Sequence, residues 1–132
     1  MDLRILEIAS NTENNKVINN FTHKSKNKNP ICGDEMEICL VVKNDTVIDM
    51  GYQCKSCVYC QASVSLLSRK IKNRKIDEFK DFLSHSEKLF DDIKVSIMQH
   101  WNDFKEILNQ KNLARKECLL LPFKTVLKAL KN

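Results

Sequence analysis

Asn29-Pro30-Ile31-Cys32-Gly33-Asp34 decides how the rest of this chain is interpreted, because it sets a proline, a cysteine, a glycine and a carboxylate within six residues. Pro30 restricts its own φ angle and Gly33 tolerates a positive one, so the stretch predicts a sharp turn. The whole chain holds only two glycines and two prolines, and one of each flanks this cysteine. We therefore predict that the turn directs Cys32 and Asp34, a soft and a hard metal ligand, toward a common side. The alternative is a surface turn beside a cysteine that serves only packing.

The composition predicts a single domain, residues 1–132, that is long enough to bury a hydrophobic core. The sequence shows neither an export signal nor an apolar run of ~20 residues, so we expect a cytoplasmic protein without a membrane partner. In a reducing compartment, six cysteines at short spacings indicate metal, cluster or sulfur chemistry rather than a disulfide framework. The net charge of +5 includes lysine clusters at 24–28 and 69–75. These clusters lack interleaved aromatic residues, and we expect no nucleic-acid partner.

Hydrophobic periodicity predicts several short elements. A helix is predicted over 2–10, followed by a loosely ordered, asparagine- and lysine-rich segment over 11–29. Alternating apolar residues over 36–50, interrupted at Asn44-Asp45, predict a β-hairpin. Ser56 is the predicted N-cap of a helix that continues through residue 71. Further helices are predicted over 76–95, where Ile93 is one of the apolar positions, and over 97–108. A last helix is predicted to begin between 119 and 122, because Pro122 is best tolerated in a first turn.

Three cysteines occupy comparable settings that are far apart in the sequence. Cys32 follows a kinked turn, Cys57 lies at a predicted helix start, and Cys118 lies just before or at another. A helix N-terminus carries a partial positive charge, which favours thiolate over thiol. With Asp34 as a fourth ligand, the set suits tetrahedral Zn²⁺, and the same thiolates suit an iron–sulfur cluster.

These residues resemble the motifs of the U-type iron–sulfur scaffold family (IscU, SufU and the N-terminal domain of NifU). The first motif, Asn-Pro-x-Cys-Gly-Asp, is matched at 29–34 without a departure. The second, a cysteine followed five residues later by Ala-Ser-x-Ser, is matched by Cys57 and residues 62–65. The third, a late cysteine before an apolar helix, is matched by Cys118. The resemblance covers about residues 25–131.

The resemblance implies an α+β fold with a small antiparallel sheet packed against several helices, and a ligand site at one tip. It also implies a scaffold that accepts sulfur from a cysteine desulfurase, adds iron and passes a transient [2Fe–2S] cluster to apo acceptor proteins. Cys32, Cys57 and Cys118 would supply cluster sulfurs, with Cys118 as the candidate persulfide acceptor. Asp34 would be the labile ligand that keeps the cluster transferable.

Two departures from the IscU pattern are present. Glu117 stands where IscU-type proteins place a histidine, which brings the chain closer to SufU-like or other divergent scaffold members. The Leu-Pro-Pro-Val-Lys stretch that a dedicated chaperone reads in IscU is missing before the third cysteine, which weakens the expectation of a chaperone-linked pathway. The alternative function is a zinc-bound sulfurtransferase that uses the same four residues and takes a persulfide from a desulfurase. The third is a small structural zinc protein without sulfur traffic.

The remaining cysteines and the histidines are predicted to lie outside the ligand set. Cys54 and Cys60 complete a C-x₂-C-x₂-C run with Cys57 that also occurs in ferredoxins, but the nearby Cys-Pro of ferredoxins is absent. We expect these two to be packing or auxiliary thiols. Cys39 alternates with apolar neighbours on a predicted strand and is expected to be structural. The histidines, which lack ligand spacing, are expected to have no role in the site: His23, His85 and His100.

Overall fold

The computed structural model describes residues 2–91 and 94–131. These residues form α1 Leu3–Ala9, β1 His23–Lys28, β2 Glu35–Lys43, β3 Thr46–Lys55, α2 Val58–Lys70, β4 Arg74–Lys75, α3 Ile76–Ser86 and α4 Lys116–Leu130. The strands make one antiparallel sheet in the order β1-β2-β3-β4. The predicted α+β class is confirmed. Within the described ranges, no helix has the length and hydrophobicity needed to cross a membrane.

β2 and β3 form the predicted hairpin. Its two-residue turn, Asn44-Asp45, has φ angles of 53° and 58°, and short polar residues tolerate this left-handed conformation. β3 extends to Lys55, further than the sequence predicts, because it pairs with β2 as far as Glu35 opposite Lys55. This length carries the chain back to the Asn29–Asp34 turn just before α2 begins.

The prediction of a loosely ordered segment over 11–29 is wrong for residues 23–28, which form β1. Most residues of this strand are polar and have little intrinsic strand propensity. The strand forms because it pairs along its whole length with β2. Its buried Ser25 also donates a hydrogen bond to the carbonyl of Thr125 in α4 at 2.6 Å. Three exposed lysines alternate along this edge strand, a pattern that discourages pairing with another chain: Lys24, Lys26 and Lys28.

The helix predicted over 76–95 is confirmed for α3, but the segments that follow it differ in type from the prediction. α3 gives way to 3₁₀ segments over Glu87–Asp91, Gln99–Glu106 and Gln110–Arg115. Ile93, counted in the predicted helix over 76–95, lies outside the described residues. The predicted helix over 97–108 is a 3₁₀ segment because its main apolar residues recur every three positions, which places them on one side of such a helix. These residues are Met98, Trp101, Phe104 and Ile107.

The prediction that the last helix begins between 119 and 122 is also wrong, because α4 begins at Lys116 and contains Pro122. A proline inside a helix removes one backbone hydrogen bond, here to the carbonyl of Cys118. Burial of the apolar face of α4, including Leu119 and Phe123 at 0% exposure, offsets this loss. Cys118 therefore lies in the first turn of the helix.

The core fills the space between one face of the sheet and helices α2 and α4. Ile38 and Leu40 of β2 and Leu67 of α2 are fully buried. Beyond α4, Phe82 stacks on Trp101 with ring centroids 4.8 Å apart. This packing brings the N-terminal ends of α2 and α4 beside the turn between β1 and β2.

Candidate metal centre

Asn29 builds the turn that presents the first cysteine. Its backbone N–H donates to the carbonyl of Asp34 at 2.8 Å, and its own carbonyl accepts from the N–H of Gly33 at 2.8 Å. Its side-chain oxygen accepts from the N–H of Ile31 at 3.0 Å. Gly33 has a φ of +77°, which a residue with a side chain rarely adopts. The turn thus projects Cys32 into solvent and directs the Asp34 side chain inward.

Cys118 meets this turn from α4. The sulfurs of Cys32 and Cys118 lie 3.5 Å apart. These two sulfurs and a carboxylate oxygen of Asp34 all lie within 4.8 Å of one another. Cys32 is exposed, whereas Asp34 and Cys118 are each only 5% exposed. The group is therefore open to solvent on the Cys32 side and closed by protein behind.

Cys57 joins the group through Asp34. One carboxylate oxygen accepts from the backbone N–H of Cys57 at 3.0 Å, and the other lies 3.6 Å from its sulfur. The prediction that Ser56 is the N-cap of α2 is wrong, because Cys57 is the N-cap. Asp34 therefore anchors the start of this helix. The structure brings the four predicted site residues together, and their role as ligands stays a prediction.

The protonation of the group follows from its burial and hydrogen bonds. Burial acts to raise the pKa of Asp34, but hydrogen bonds from the Cys32 thiol, the Cys57 backbone and the Cys118 and Cys57 thiols outweigh it and lower that pKa. Burial, followed by hydrogen bonds with Cys32, Asp34 and Cys57, raises the pKa of Cys118. The metal-free site thus holds the Asp34 carboxylate as an anion beside the protonated Cys118 thiol, and a metal that binds Cys118 must displace its proton.

Two serines that the sequence analysis noted only as part of a motif connect the site to the fold. The buried Ser63 of α2 donates to the carbonyl of Leu119 in α4 at 2.6 Å. Ser65, also buried, donates to the carbonyl of Asn11 at 2.6 Å. Ser63 thereby ties together the two helices that carry Cys57 and Cys118. The apolar neighbours of Ser63 were the sequence signal for this role, because a serine buried among apolar residues needs a hydrogen-bond partner.

Glu117 points away from the sulfurs. It is exposed, and its carboxylate pairs with Lys124 at 3.1 Å on α4. The preceding Arg115 lies over the ring of Tyr59, 5.2 Å from its centroid, and so links the approach to α4 with the first turn of α2. The glutamate that replaces the IscU-type histidine is therefore oriented toward a lysine in this structure.

The other cysteines differ in burial. Cys39 is 6% exposed on β2, opposite Gly51 of β3. Cys54 is half-buried at the end of β3, and Cys60 is fully buried in the first turn of α2. Burial raises the pKa of both Cys54 and Cys60. The histidine rings contact the Thr22 hydroxyl (His23), the Asp81 carbonyl (His85) and the Lys70 carbonyl (His100).

The chain is similar in sequence to proteins of one family. The family model described as "NifU-like N terminal domain" matches residues 2–98. This match ends before Cys118. The "Iron-sulfur cluster assembly scaffold protein IscU" of Thermotoga maritima is 30% identical, and the match covers 96% of this chain and 89% of that protein.

The fold is similar to solved structures. The N-terminal part of a nitrogen-fixing NifU-like protein from Brucella abortus has a TM-score of 0.89 at 22% identity, covering 98% of this chain and 91% of that one. The SUF-system protein FiSufU from Fervidobacterium islandicum AW-1 has a TM-score of 0.86 at 21% identity, covering 98% and 96%. At these identities the two structures show a shared fold.

Proposed function

This chain belongs to the family of NifU-like N-terminal domains, a family of iron–sulfur cluster assembly scaffolds, and from this premise we propose that it builds a [2Fe–2S] cluster and passes it on. Sulfur arrives from a cysteine desulfurase as a persulfide, iron is the second substrate, and an apo iron–sulfur protein receives the product. The observation that carries the proposal is the group formed by Cys32, Asp34 and Cys118, whose donor atoms all lie within 4.8 Å of one another.

The donor set fits iron and sulfide. Thiolates are the usual ligands of iron–sulfur clusters, and three sulfurs at one surface supply most of such a ligand set. Asp34 adds a harder oxygen, which is the weakest ligand for a sulfur-rich iron centre and the first to dissociate during transfer. Its lowered pKa keeps it anionic and ready to bind.

Cys118 is the proposed persulfide acceptor, and Cys32 provides the approach from solvent. Cys118 is buried, but the exposed Cys32 lies 3.5 Å from it. A persulfide formed on Cys32 passes its outer sulfur to Cys118 by thiol–persulfide exchange. Sulfur then lies inside the ligand group, where iron binds.

A zinc-bound sulfurtransferase is the second candidate, and the compactness of the group favours it. Two thiolates at ~2.3 Å from one tetrahedral Zn²⁺ lie about 3.8 Å apart, close to the 3.5 Å between Cys32 and Cys118. Ligands of a two-iron cluster are divided between two ions, so the group would have to open. In this candidate Cys32, Asp34, Cys57 and Cys118 would hold the zinc ion, and one of the three cysteines would also accept sulfur.

Anaerobic reconstitution distinguishes the two candidates. The metal-free protein is incubated with ferrous iron and sulfide, with and without zinc, and visible absorption and metal content are measured. The scaffold is expected to bind two irons and two sulfides per chain, and Cys118→Ser should abolish this. Cys39→Ser is the matched control because Cys39 lies outside the group. One tightly held zinc ion that prevents cluster formation would contradict the scaffold and favour the sulfurtransferase.

A further inference from the structure

Two cysteines open α2 with the geometry of a disulfide-forming pair. Cys57 is the N-cap and Cys60 lies three residues later in the first turn. The separation of their Cα atoms is set by the backbone angles of Val58 and Tyr59, which are both helical. The radius and rise of an α-helix place those Cα atoms about 5 Å apart. This lies within the range of ~4.4–6.8 Å that disulfides require.

The two thiols have different surroundings. Cys57 is half-buried and touches Asp34 at the site, whereas Cys60 is 0% exposed beneath it. Side chains at the N-cap and third position of a helix face each other, as capping boxes show. A C-x-x-C pair at a helix start is also typical of thiol–disulfide exchange. Cys60 therefore lies beneath Cys57, which is a proposed ligand, and is not itself proposed to bind the metal.

We propose that Cys57 and Cys60 act as a dithiol that reduces delivered sulfur to sulfide. The step rests on the proposed function, because the persulfide on Cys118 must first pass its outer sulfur to Cys57 by thiol–persulfide exchange. The Cys118 and Cys57 thiols are in hydrogen-bond contact. The Cys60 sulfur attacks the inner sulfur of that persulfide, which is the Sγ atom of Cys57. A bond between the two cysteine sulfurs forms, and the bond to the outer sulfur breaks. The outer sulfur leaves with the electron pair as HS⁻ and takes the proton of Cys60, giving hydrogen sulfide.

The electrons balance within the pair. The outer sulfur gains one electron and becomes sulfide, which is the oxidation state that a cluster requires. The Cys60 sulfur loses one electron, and the Cys57 sulfur, already bonded to another sulfur in the persulfide, keeps its oxidation state. The inner sulfur is the atom attacked because it belongs to Cys57, whose Cα lies at disulfide separation from that of Cys60. While the disulfide persists, Cys57 cannot bind iron. A dithiol reductant must therefore reduce the Cys57–Cys60 disulfide before Cys57 can bind the cluster.

Persulfide loading of the metal-free protein tests this inference. The reduced protein is treated anaerobically with glutathione persulfide, released sulfide is quantified, and disulfides are mapped by mass spectrometry of non-reduced peptides. The unmodified chain should release sulfide in step with formation of a Cys57–Cys60 disulfide. Cys60→Ala and Cys60→Ser should retain the persulfide and release sulfide at least about tenfold more slowly, because the intramolecular attack is lost.

Cys54→Ala is the matched control, since this half-buried thiol lies three residues on the other side of Cys57. It should behave like the unmodified chain. Unchanged sulfide release by both Cys60 variants, or a disulfide between Cys54 and Cys57 instead, would overturn the inference. Cys60 is buried, so the test also includes a measurement that does not depend on substituting it. The unmodified chain is therefore also equilibrated in dithiothreitol redox buffers, where absence of the Cys57–Cys60 disulfide overturns the inference without any substitution.

The outcome is separable from that of the proposed function, because iron is absent throughout. Sulfide release through this disulfide, combined with failed cluster reconstitution, would overturn the scaffold and leave the dithiol standing. Cluster reconstitution with added sulfide, combined with sulfide release that does not depend on Cys60, would overturn the dithiol alone.

Discussion

Replacing Ser63 by alanine tests whether the contact between α2 and α4 holds the site together. The Ser63 hydroxyl is fully buried and donates to the carbonyl of Leu119 at 2.6 Å. α2 begins with Cys57, and α4 carries Cys118 one residue before that carbonyl. Loss of the bond should therefore weaken both the fold and the relative placement of two proposed ligands.

The magnitude follows from the burial of the pair. A buried hydrogen bond contributes about 0.5–1.5 kcal/mol net, and a buried acceptor left without a partner costs about 1–3 kcal/mol. In a regular helix the carbonyl of Leu119 also accepts from the N–H four residues later, so the lower range applies. The higher helix propensity of alanine offsets up to about 0.5 kcal/mol of this loss in the free energy of unfolding. We expect Ser63→Ala to lower the free energy of unfolding by about 1 kcal/mol.

Urea unfolding of the metal-free protein, followed by circular dichroism, measures this loss, and chelator competition measures zinc affinity. Ser84→Ala is the matched control because the Ser84 hydroxyl also makes a 2.6 Å hydrogen bond, to the carbonyl of Asp81, but on the exposed surface of α3. Only Ser63→Ala should lower both the unfolding midpoint and the zinc affinity. Equal stability of the two variants would refute the reasoning, as would a loss of stability without any change in zinc affinity.

Three further predictions concern carboxylates. Asp34→Ala should form a cluster that passes more slowly to an apo-ferredoxin, because the labile ligand is gone, and equal or faster transfer would contradict that role. Glu117→Gln should leave metal affinity in chelator competition nearly unchanged, because Glu117 faces Lys124, whereas Asp34→Asn should lower it. The reverse ranking would assign the ligand role to Glu117. Burial acts to raise the pKa of Asp49, but hydrogen bonds, led by that from Lys16, lower it below its usual 3.8. Asp49→Asn should therefore cost up to about 1 kcal/mol near neutral pH. In urea unfolding this cost should shrink as the pH falls below 3.8 and disappear below the lowered pKa of the folded state, and a cost that stays constant as the pH falls would contradict the ion pair.

The turn at 29–34 was predictable because its conformation depends on the residues within it. Pro30 restricts its own φ angle and Gly33 permits a positive one whatever surrounds them, and the positive φ of Gly33 is a property of that single position. The hairpin turn at Asn44-Asp45 was predictable for the same reason. The motifs around Cys32, Cys57 and Cys118 identified the family, since they are matched in the sequence itself.

The start of α4 was decided by tertiary contacts. Pro122 predicted that α4 begins later than it does. The stabilisation from burying the apolar face of the helix exceeds the loss of one backbone hydrogen bond at the proline. Ser56 likewise had the chemistry of an N-cap. The Asp34 carboxylate, which accepts the N–H of Cys57, helps to set that boundary one residue later.

The sequence by itself determined the turn, the hairpin and the family, because these depend on steric preferences of neighbouring residues and on motif spacing. Only the tertiary structure decided that polar residues 23–28 form a strand, through pairing with β2 and the bond from Ser25 to Thr125. It also decided that Cys118 lies 3.5 Å from a cysteine 86 residues earlier in the chain. Contacts between such distant residues form only when the whole core is buried, because burial offsets the entropy lost in bringing them together.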